Sequence, residues 1–228
     1  MRVNDLAKIV NGSSIQPQSG TTRKIVLLLH GYGSSGADLI SLAPEWQKRM
    51  PDALFVAPNA PQRCPSSGGY QWWPLTAFNP QALAAGARSA AAAIDAFIDR
   101  KLDQYQLREA DLAIVGFSQG TMMALHVGLR RPNRVAAIVG YSGMLTGPAE
   151  LADLEGAKPP VLLVHGSDDA IVPVAALHAA KAQLQKIGVE VSEHISAGLG
   201  HGVEAVGVTM GGAFVANAFA GGVGPNRF

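Results

Sequence analysis

Several features on which other classes of protein depend are scarce in this sequence. Cys64 is the single cysteine among 228 residues, which excludes a disulfide within the chain. The 18 lysines and arginines are scattered and nearly balanced by 17 acidic residues, so nothing favours nucleic-acid binding. No apolar run reaches the roughly 20 residues of a transmembrane helix, and residues 1–12 contain no stretch typical of a signal peptide. The sequence therefore predicts a cytoplasmic protein without stable membrane insertion or nucleic-acid binding.

Apolar residues, in contrast, are abundant enough for a large core. Hydrophobic residues make up 48% of the chain and charged residues 15%, and the length suits one α/β domain spanning residues 1–228. Residues 1–22 show no periodic pattern, so we expect them to be irregular. Residues 221–228 are expected to form a loose tail.

Two kinds of segment alternate along the chain. Short, continuously apolar segments are typical of parallel strands with helices on both faces; they span 24–29, 53–57, 112–115, 135–139 and 160–164. Residues 189–195 alternate between apolar and polar, which indicates a strand nearer the sheet edge. Helical spacing of apolar residues is found in 81–102, 119–129, 174–187 and 204–219. This alternation predicts a doubly wound, mostly parallel sheet.

A candidate nucleophile lies between one strand and one helix. Residues 116–120 read Gly-Phe-Ser-Gln-Gly, directly after the apolar strand 112–115 and directly before the helix 119–129. In this strand–turn–helix context, a serine occupies a strained turn at the carboxyl end of the sheet. Gly116 and Gly120 have no Cβ, so strand and helix can approach closely around Ser118. We name residues 116–120 the nucleophile elbow.

A serine hydroxyl needs a neighbouring base, and six histidines compete for that role. Five of them lie in strand-ending His-Gly steps or inside predicted helices or strands: His30, His165, His126, His178 and His194. His201 instead lies in a glycine-rich loop just after the last strand, with one closing helix behind it. Only this position suits the chain order of serine, acid and then histidine, so His201 is the predicted base.

The acid is not decided by topology. The strand that ends at 164–166 is followed by Asp168 and Asp169, and either carboxylate could reach His201. An acid is needed because it orients the imidazole and stabilises its protonated form. The residues alone leave these two aspartates as equal candidates.

Four motifs together are similar to those of a known family. They are 28–33 (Leu-Leu-His-Gly-Tyr-Gly), 116–120, 169–173 (Asp-Ala-Ile-Val-Pro) and 200–201 (Gly-His). In this order and spacing, the chain resembles the phospholipase/carboxylesterase family, relatives of the acyl-protein thioesterases, over residues 23–219. The resemblance implies an α/β-hydrolase fold in a single domain.

The resemblance also implies roles for individual residues. The family's D-x-x-V-P pattern places the acid at Asp169, which completes a triad with Ser118 and His201. Its H-G-x-G pattern implies that the backbone N–H groups of Tyr32 and Gln119 form an oxyanion hole. At the position after the elbow this chain has Thr121, where many relatives have a further glycine.

The substrate side is expected to be an open cleft. Residues 143–158 are too few for a cap domain between two core strands. An apolar wall is predicted from loop residues that could face the cleft, namely Trp72, Trp73, Leu75, Met144, Leu145 and Ile171. Simple loop packing is the alternative for the two tryptophans. No His or Cys pair has the spacing of metal ligands, and no cofactor is expected.

Three functions are compatible with these residues. The favoured one is a carboxylesterase that acts on small-molecule acyl esters of short to medium chain length. Lysophospholipase or acyl-protein thioesterase activity is a second hydrolytic hypothesis. A non-catalytic binding protein is the third, and the intact motifs argue against it. Whether the protein is a homodimer is left open.

Overall fold

The sheet at the centre of the protein has seven strands in the computed structural model, which describes residue 9 and residues 11–222. The strands of the described chain are β1 (Gly12–Ile15), β2 (Lys24–Leu29), β3 (Ala53–Pro58), β4 (Gln62–Arg63), β5 (Tyr70–Gln71), β6 (Leu112–Phe117), β7 (Ala137–Tyr141), β8 (Val161–Gly166) and β9 (Val191–Ser196). The sheet order is β1-β3-β2-β6-β7-β8-β9, and only β1 runs antiparallel to its neighbour. β4 and β5 form a separate two-stranded ribbon. The predicted doubly wound, mostly parallel sheet is confirmed.

Helices connect the parallel strands. They are α1 (Gly36–Leu39), α2 (Ala43–Gln47), α3 (Pro80–Tyr105), α4 (Gln119–Gly128), α5 (Ala175–Lys186) and α6 (Ala205–Phe219). The start of α3 illustrates the local signals: the Asn79 side chain accepts a hydrogen bond from the Ala82 N–H at 2.9 Å, and proline occupies the first helical position. No helix of the described chain is both long enough and apolar enough to cross a membrane.

Each face of the sheet is covered by its own layer of helices. In β2, Ile25 and Leu27 belong to a core with α3, α4 and α5, whereas Val26 and Leu28 belong to a second core with α2 and α6. Successive side chains of a strand point to opposite faces, so strands buried on both sides must be apolar at every position. Each fully buried Val, Leu or Ile side chain stabilises the fold by about 1.5–3 kcal/mol.

Two boundaries differ from the sequence-based expectation. Residues 1–22 were expected to be irregular, but Gly12–Ile15 forms the edge strand β1, paired with β3. Its side chains alternate between exposed and half-buried and include two serines, so the strand depends on backbone pairing rather than on an apolar pattern. β7 begins at Ala137 rather than at 135, because Ala137 is the first residue that pairs with β6. The rest of the expected tail, 223–228, lies outside the described residues, as do 1–8 and 10.

Close backbone contact brings α4 against the sheet next to the nucleophile elbow. A Cβ added at Gly120 would overlap the carbonyl oxygen of Leu29, and one added at Gly116 would overlap the backbone of Gly120. The two glycines of the elbow therefore allow the helix to contact the ends of both β2 and β6. This contact places the first turn of α4 beside the loop that follows β2.

Gly120→Ala is expected to destabilise the protein, although alanine normally favours an α-helix over glycine by about 1 kcal/mol. The added methyl group must displace backbone atoms of Leu29 and His30. Overpacking of this kind costs about 1–3 kcal/mol, and the Tm of a chain of this size falls by roughly 2–4 °C per kcal/mol. Thermal unfolding followed by circular dichroism measures the change.

Gly200→Ala is the matched control, because in the described chain no atom beyond its two sequence neighbours lies within 4 Å of a Cβ added there. Its Tm should remain close to that of the wild type. A Gly120→Ala protein as stable as the wild type would show that the contact between α4 and β2 is looser than these distances indicate.

Candidate active site

The backbone at Ser118 is held in a conformation that serine rarely adopts. Ser118 has φ 53° and ψ −115°, and its N–H donates to the Tyr141 carbonyl oxygen at 2.9 Å. A positive φ brings the Cβ of an L-residue close to its own backbone, so such residues persist only where their surroundings enforce them. Here the turn between β6 and α4 is enforced by the contacts of Gly116 and Gly120. The result is a half-exposed serine at the amino end of a helix, on the carboxyl edge of the sheet.

Two backbone N–H groups beside Ser118 are available to a ligand. Within residues 11–222, neither Tyr32 N–H nor Gln119 N–H has an acceptor. A Cβ added at Gly31 would lie 3.3 Å from the Cβ of Ser118, so the loop that carries Tyr32 runs directly past the serine. The loop is also fixed at its far end, because Gly33 N–H donates to the Tyr70 carbonyl at 2.8 Å. The pair has the chemistry of an oxyanion hole.

His30 holds this loop from behind. Its Nε2 accepts a hydrogen bond from Ala60 N–H at 2.9 Å, so the proton of the neutral ring must be on Nδ1, which donates to the Gly31 carbonyl at 2.7 Å. Burial lowers the pKa of His30, although the bond to Gly31 acts in the opposite direction. The Trp72 indole N–H donates to the His30 carbonyl at 2.9 Å. Both ring nitrogens of His30 thus form hydrogen bonds within the protein, and the residue is structural, as its His-Gly step suggested.

The Gln119 side chain has a role that sequence reasoning missed. It is 1% exposed, its Oε1 accepts from Trp72 N–H at 3.0 Å, and its Nε2 donates to the Trp73 carbonyl at 2.9 Å. These two bonds join the elbow to a segment 46 and 47 residues earlier in the chain. No local pattern signals such a contact.

The structure brings His201 to Asp169. His201 Nδ1 lies 2.8 Å from Asp169 Oδ2, while Asp169 Oδ1 accepts from the N–H groups of Ile171 at 2.9 Å and Val172 at 2.8 Å. Burial by itself would raise the pKa of Asp169, but the hydrogen bonds from His201 and the two N–H groups outweigh it, and the pKa lies below its usual value. The carboxylate is therefore ionised, and it can only accept, so the proton of the His201 ring is on Nδ1.

Asp168 points elsewhere. Its Oδ1 accepts from the Ser167 hydroxyl, and its backbone N–H donates to the Leu199 carbonyl at 2.9 Å. Its backbone thus supports the loop of His201 without touching the imidazole. The order of elements did not distinguish the two aspartates, but the structure places only the Asp169 carboxylate against His201.

His165 is a second buried imidazole beside the acid. Its Nε2 lies 2.7 Å from the Val172 carbonyl oxygen, which can only accept, and 3.3 Å from Asp169 Oδ2. The side chain is 2% exposed. The strand-ending His-Gly step at 165–166 therefore contacts the Asp169 carboxylate, whereas the sequence indicated only a structural strand end.

The His201 ring lies beside the elbow. The ring is 5.0 Å from that of Phe117, the residue before Ser118, and the side chain is 20% exposed. With Nδ1 engaged by Asp169, Nε2 keeps a lone pair for a proton from outside. No hydrogen bond joins Ser118 Oγ to His201 in the part of the chain that the structure describes; in ligand-free sites, such bonds are often long.

The expected apolar wall is only partly present. Trp72 and Trp73 are 1% and 4% exposed, and Trp73 packs against α3 at Gly86, so both tryptophans belong to the core rather than to an open cleft. Trp72 donates to Gln119 and to the His30 carbonyl, and the Trp73 carbonyl accepts from Gln119, so this segment is held against the elbow. The other predicted wall residues are accessible, with Ile171 63% exposed and the rest half-buried: Leu75, Met144 and Leu145.

No cap covers the site between β7 and β8. The connecting residues contain one short 3-10 helix, Pro148–Leu151. Glu150 in this helix forms ion pairs with Arg88 of α3 and Arg130, which follows α4. The segment is thereby fixed against the body of the protein.

Known proteins with similar sequences are esterases and thioesterases. The model of the family described as Phospholipase/Carboxylesterase matches residues 10–216. Acyl-protein thioesterase 1 of Saccharomyces cerevisiae is 27% identical, over 72% of this chain and 78% of its own length. Esterase YpfH of Escherichia coli is 24% identical, over 83% and 81%. The crystal structure of esterase PE8 is 42% identical, covers 91% of this chain and 98% of its own, and superposes with a TM-score of 0.87.

Asp169→Asn is expected to lower kcat on an activated ester by about 10³- to 10⁴-fold, because the imidazole loses the partner that fixes its tautomer and stabilises its charge. The amide oxygen of the new side chain can still accept from Ile171 and Val172 N–H, so the fold should survive, which thermal unfolding checks. Steady-state kinetics supply the comparison.

Asp168→Asn is the matched control, since its side chain binds the Ser167 hydroxyl and not the imidazole. Its kcat should stay within a few-fold of the wild type. If the two variants exchanged these effects, the assignment of the acid would be wrong.

Proposed function

The chain belongs to the phospholipase/carboxylesterase family of α/β-hydrolases, and from this premise we propose that it is a serine carboxylesterase acting on short- to medium-chain acyl esters. The observation that supports the mechanism best is the 2.8 Å contact of His201 Nδ1 with a buried, ionised Asp169, beside a serine with φ 53°. Ser118, His201 and Asp169 are the proposed nucleophile, base and acid. A cytoplasmic location remains a prediction from the sequence.

In the proposed acylation step, Ser118 Oγ attacks the ester carbonyl carbon while His201 Nε2 accepts the hydroxyl proton. The C=O bond opens to a tetrahedral oxyanion, and the imidazolium then returns the proton to the leaving alkoxide as the ester C–O bond breaks. Water repeats the sequence on the acyl-enzyme and releases the carboxylic acid. Asp169 is placed to stabilise the imidazolium in both halves of the reaction.

The developing oxyanion is proposed to bind Tyr32 N–H and Gln119 N–H. Both groups lack an acceptor in the described chain, and Gln119 opens α4, where the helix dipole adds positive potential. Removing one such donor typically costs about 3 kcal/mol of transition-state stabilisation. Because His30 and Tyr70 fix the Tyr32 loop, little reorganisation is needed when charge develops.

The substrate range is proposed from the accessible wall residues. Leu75, Met144, Leu145 and Ile171 stand on short loops, which can contact the first carbons of an acyl chain but cannot enclose a long one. Acyl-protein thioesterase or lysophospholipase activity is the alternative, and it is favoured by relatives named acyl-protein thioesterase at 27% identity. The same triad would serve either leaving group, so kinetics must separate them.

A fluorophosphonate should label the protein once, on Ser118. An activated serine attacks phosphorus and displaces fluoride, whereas ordinary surface serines do not react. Mass spectrometry of the digested protein should place the adduct on the peptide that contains 116–120, and Ser118→Ala should abolish it. Adduct on another peptide, or labelling that persists in the variant, would refute the nucleophile.

Chain length should have a limited effect on p-nitrophenyl esters. Each buried methylene contributes at most about 0.8 kcal/mol, so kcat/KM can rise roughly fourfold per carbon. The rise should stop after the first few carbons and show no jump when substrate forms a lipid–water interface, since residues 11–222 contain no lid that could open. A steady increase to long-chain esters would favour a lipase instead, and faster turnover of thioesters or lysophospholipids would favour the alternative above.

Two variants locate the wall within this series. Met144→Ala should flatten the rise with chain length, because Met144 is accessible beside Gly143. Trp73→Ala should mainly lower the Tm and leave the slope unchanged, because Trp73 is buried.

A further inference from the structure

Ser142, the residue after β7, has strained backbone geometry without a role in the mechanism above. Its φ is 45°, and the residue is completely buried. In the described chain, positive φ outside glycine is also found at Gln106, a helix C-cap where it is common, and at Ser118. Glycine would adopt this conformation without cost. A buried serine that keeps such a conformation therefore indicates that the serine side chain is needed.

The Ser142 hydroxyl binds the loop of the proposed base. Oγ donates to the Gly202 carbonyl at 2.9 Å, and Gly202 directly follows His201. The Ser142 N–H donates to the Val164 carbonyl at 2.9 Å, which fixes the residue between β7 and β8. The hydroxyl thus connects the rigid sheet edge to the backbone of the base.

The loop packs against the sheet through the Leu199 and Gly200 carbonyls, which lie against Gly166. Within the described chain, the Cβ positions of Gly200 and Gly202 face open space, so no side chain there adds to these contacts. On the amino-terminal side, Gly198 N–H donates to the Ser167 hydroxyl at 2.8 Å and Leu199 accepts from Asp168 N–H. On the carboxyl-terminal side, the hydrogen bond from Ser142 is the first one after His201.

We propose that Ser142 is a positioning residue, whose hydroxyl fixes the backbone at Gly202 and so keeps the His201 ring aligned with both Asp169 and Ser118. This inference rests on the proposed function, because it gives Ser142 a role through His201. Misplacement of a catalytic group by about 1 Å can lower a rate 100-fold. Loss of the hydroxyl should therefore lower kcat far more than it changes KM.

Ser142→Gly separates this role from a structural one. The substitution removes the hydroxyl and at the same time relieves the strained φ, so the protein should remain folded with a Tm equal to or above that of Ser142→Ala. We expect kcat on a short p-nitrophenyl ester to fall roughly 10- to 100-fold with KM nearly unchanged. Ser142→Ala should show the same loss of kcat. Wild-type kcat in a folded Ser142→Gly protein would overturn the proposal.

Ser196→Ala is the matched control. Ser196 ends β9, which is separated from β7 by β8; it is 2% exposed and has a buried hydroxyl without a hydrogen-bond partner in the described chain. Removing that hydroxyl should leave kcat unchanged. Equal losses in Ser196→Ala and Ser142→Gly would show that any buried hydroxyl in this region matters, and would overturn the specific role of Ser142.

A measurement that does not depend on turnover tests the role of Ser142 separately from the proposed esterase activity. The proton shared by His201 Nδ1 and Asp169 should give a downfield NMR resonance in the wild type, assigned by its loss in His201→Ala. In Ser142→Gly, this resonance should broaden or disappear through faster exchange with water. An unchanged resonance would refute the positioning role even if the protein hydrolysed no ester, whereas an inactive wild type with a normal resonance would count against the esterase proposal alone.

Discussion

The arrangement of the site depends on one shared acceptor, the Tyr141 carbonyl oxygen at the end of β7. Ser118 N–H donates to it at 2.9 Å, and the Thr121 hydroxyl lies 2.8 Å both from it and from the Gly116 carbonyl. The pairing of Phe117 with Tyr141 is therefore continued beyond the sheet by the Ser118 N–H and the Thr121 hydroxyl. Because Ser142 follows the same carbonyl, the two strained serines lie at the ends of adjacent strands. Thr121, the residue after the elbow, adds a hydroxyl to this junction.

The same His-Gly step follows β2 directly and forms the end of β8, and each step supports one half of the proposed chemistry. After β2, His30 binds the Gly31 carbonyl and fixes the loop of Tyr32. At the end of β8, His165 contacts the Val172 carbonyl and Asp169, the proposed acid. The glycine that follows permits close approach in both cases: Gly31 lies beside Ser118, and a Cβ at Gly166 would overlap the Leu199 carbonyl. His30 uses both ring nitrogens in hydrogen bonds, whereas His165 makes both contacts through Nε2.

Much of this could be predicted from the sequence, because the decisive signals are local. Continuous apolar segments indicate strands buried on both faces, and the elbow shows itself through the spacing of Gly116, Ser118 and Gly120. The choice of His201 needed only the order of elements. What failed depends on contacts between distant residues. Gln119 forms hydrogen bonds with the backbone of Trp72 and Trp73, and both tryptophans are buried. The sequence contains no signal that distinguishes a buried tryptophan from an exposed one. β1 was missed because antiparallel pairing to β3 stabilises a strand without an apolar pattern.

The choice between the two aspartates shows what geometry adds to order. Both follow β8, but only Asp169 turns inward, where three N–H donors, His201 included, lie within 2.9 Å of its carboxylate. In the described chain no lysine or arginine forms an ion pair with Asp169. Besides His201, the ionisable side chain in contact with its carboxylate is His165. A permanent cation would neutralise the carboxylate before the reaction began. Hydrogen-bond donors keep it ionised while leaving its charge available, so that in the proposed mechanism its attraction would increase when His201 becomes an imidazolium. Stabilisation that grows towards the transition state is the kind that accelerates a reaction.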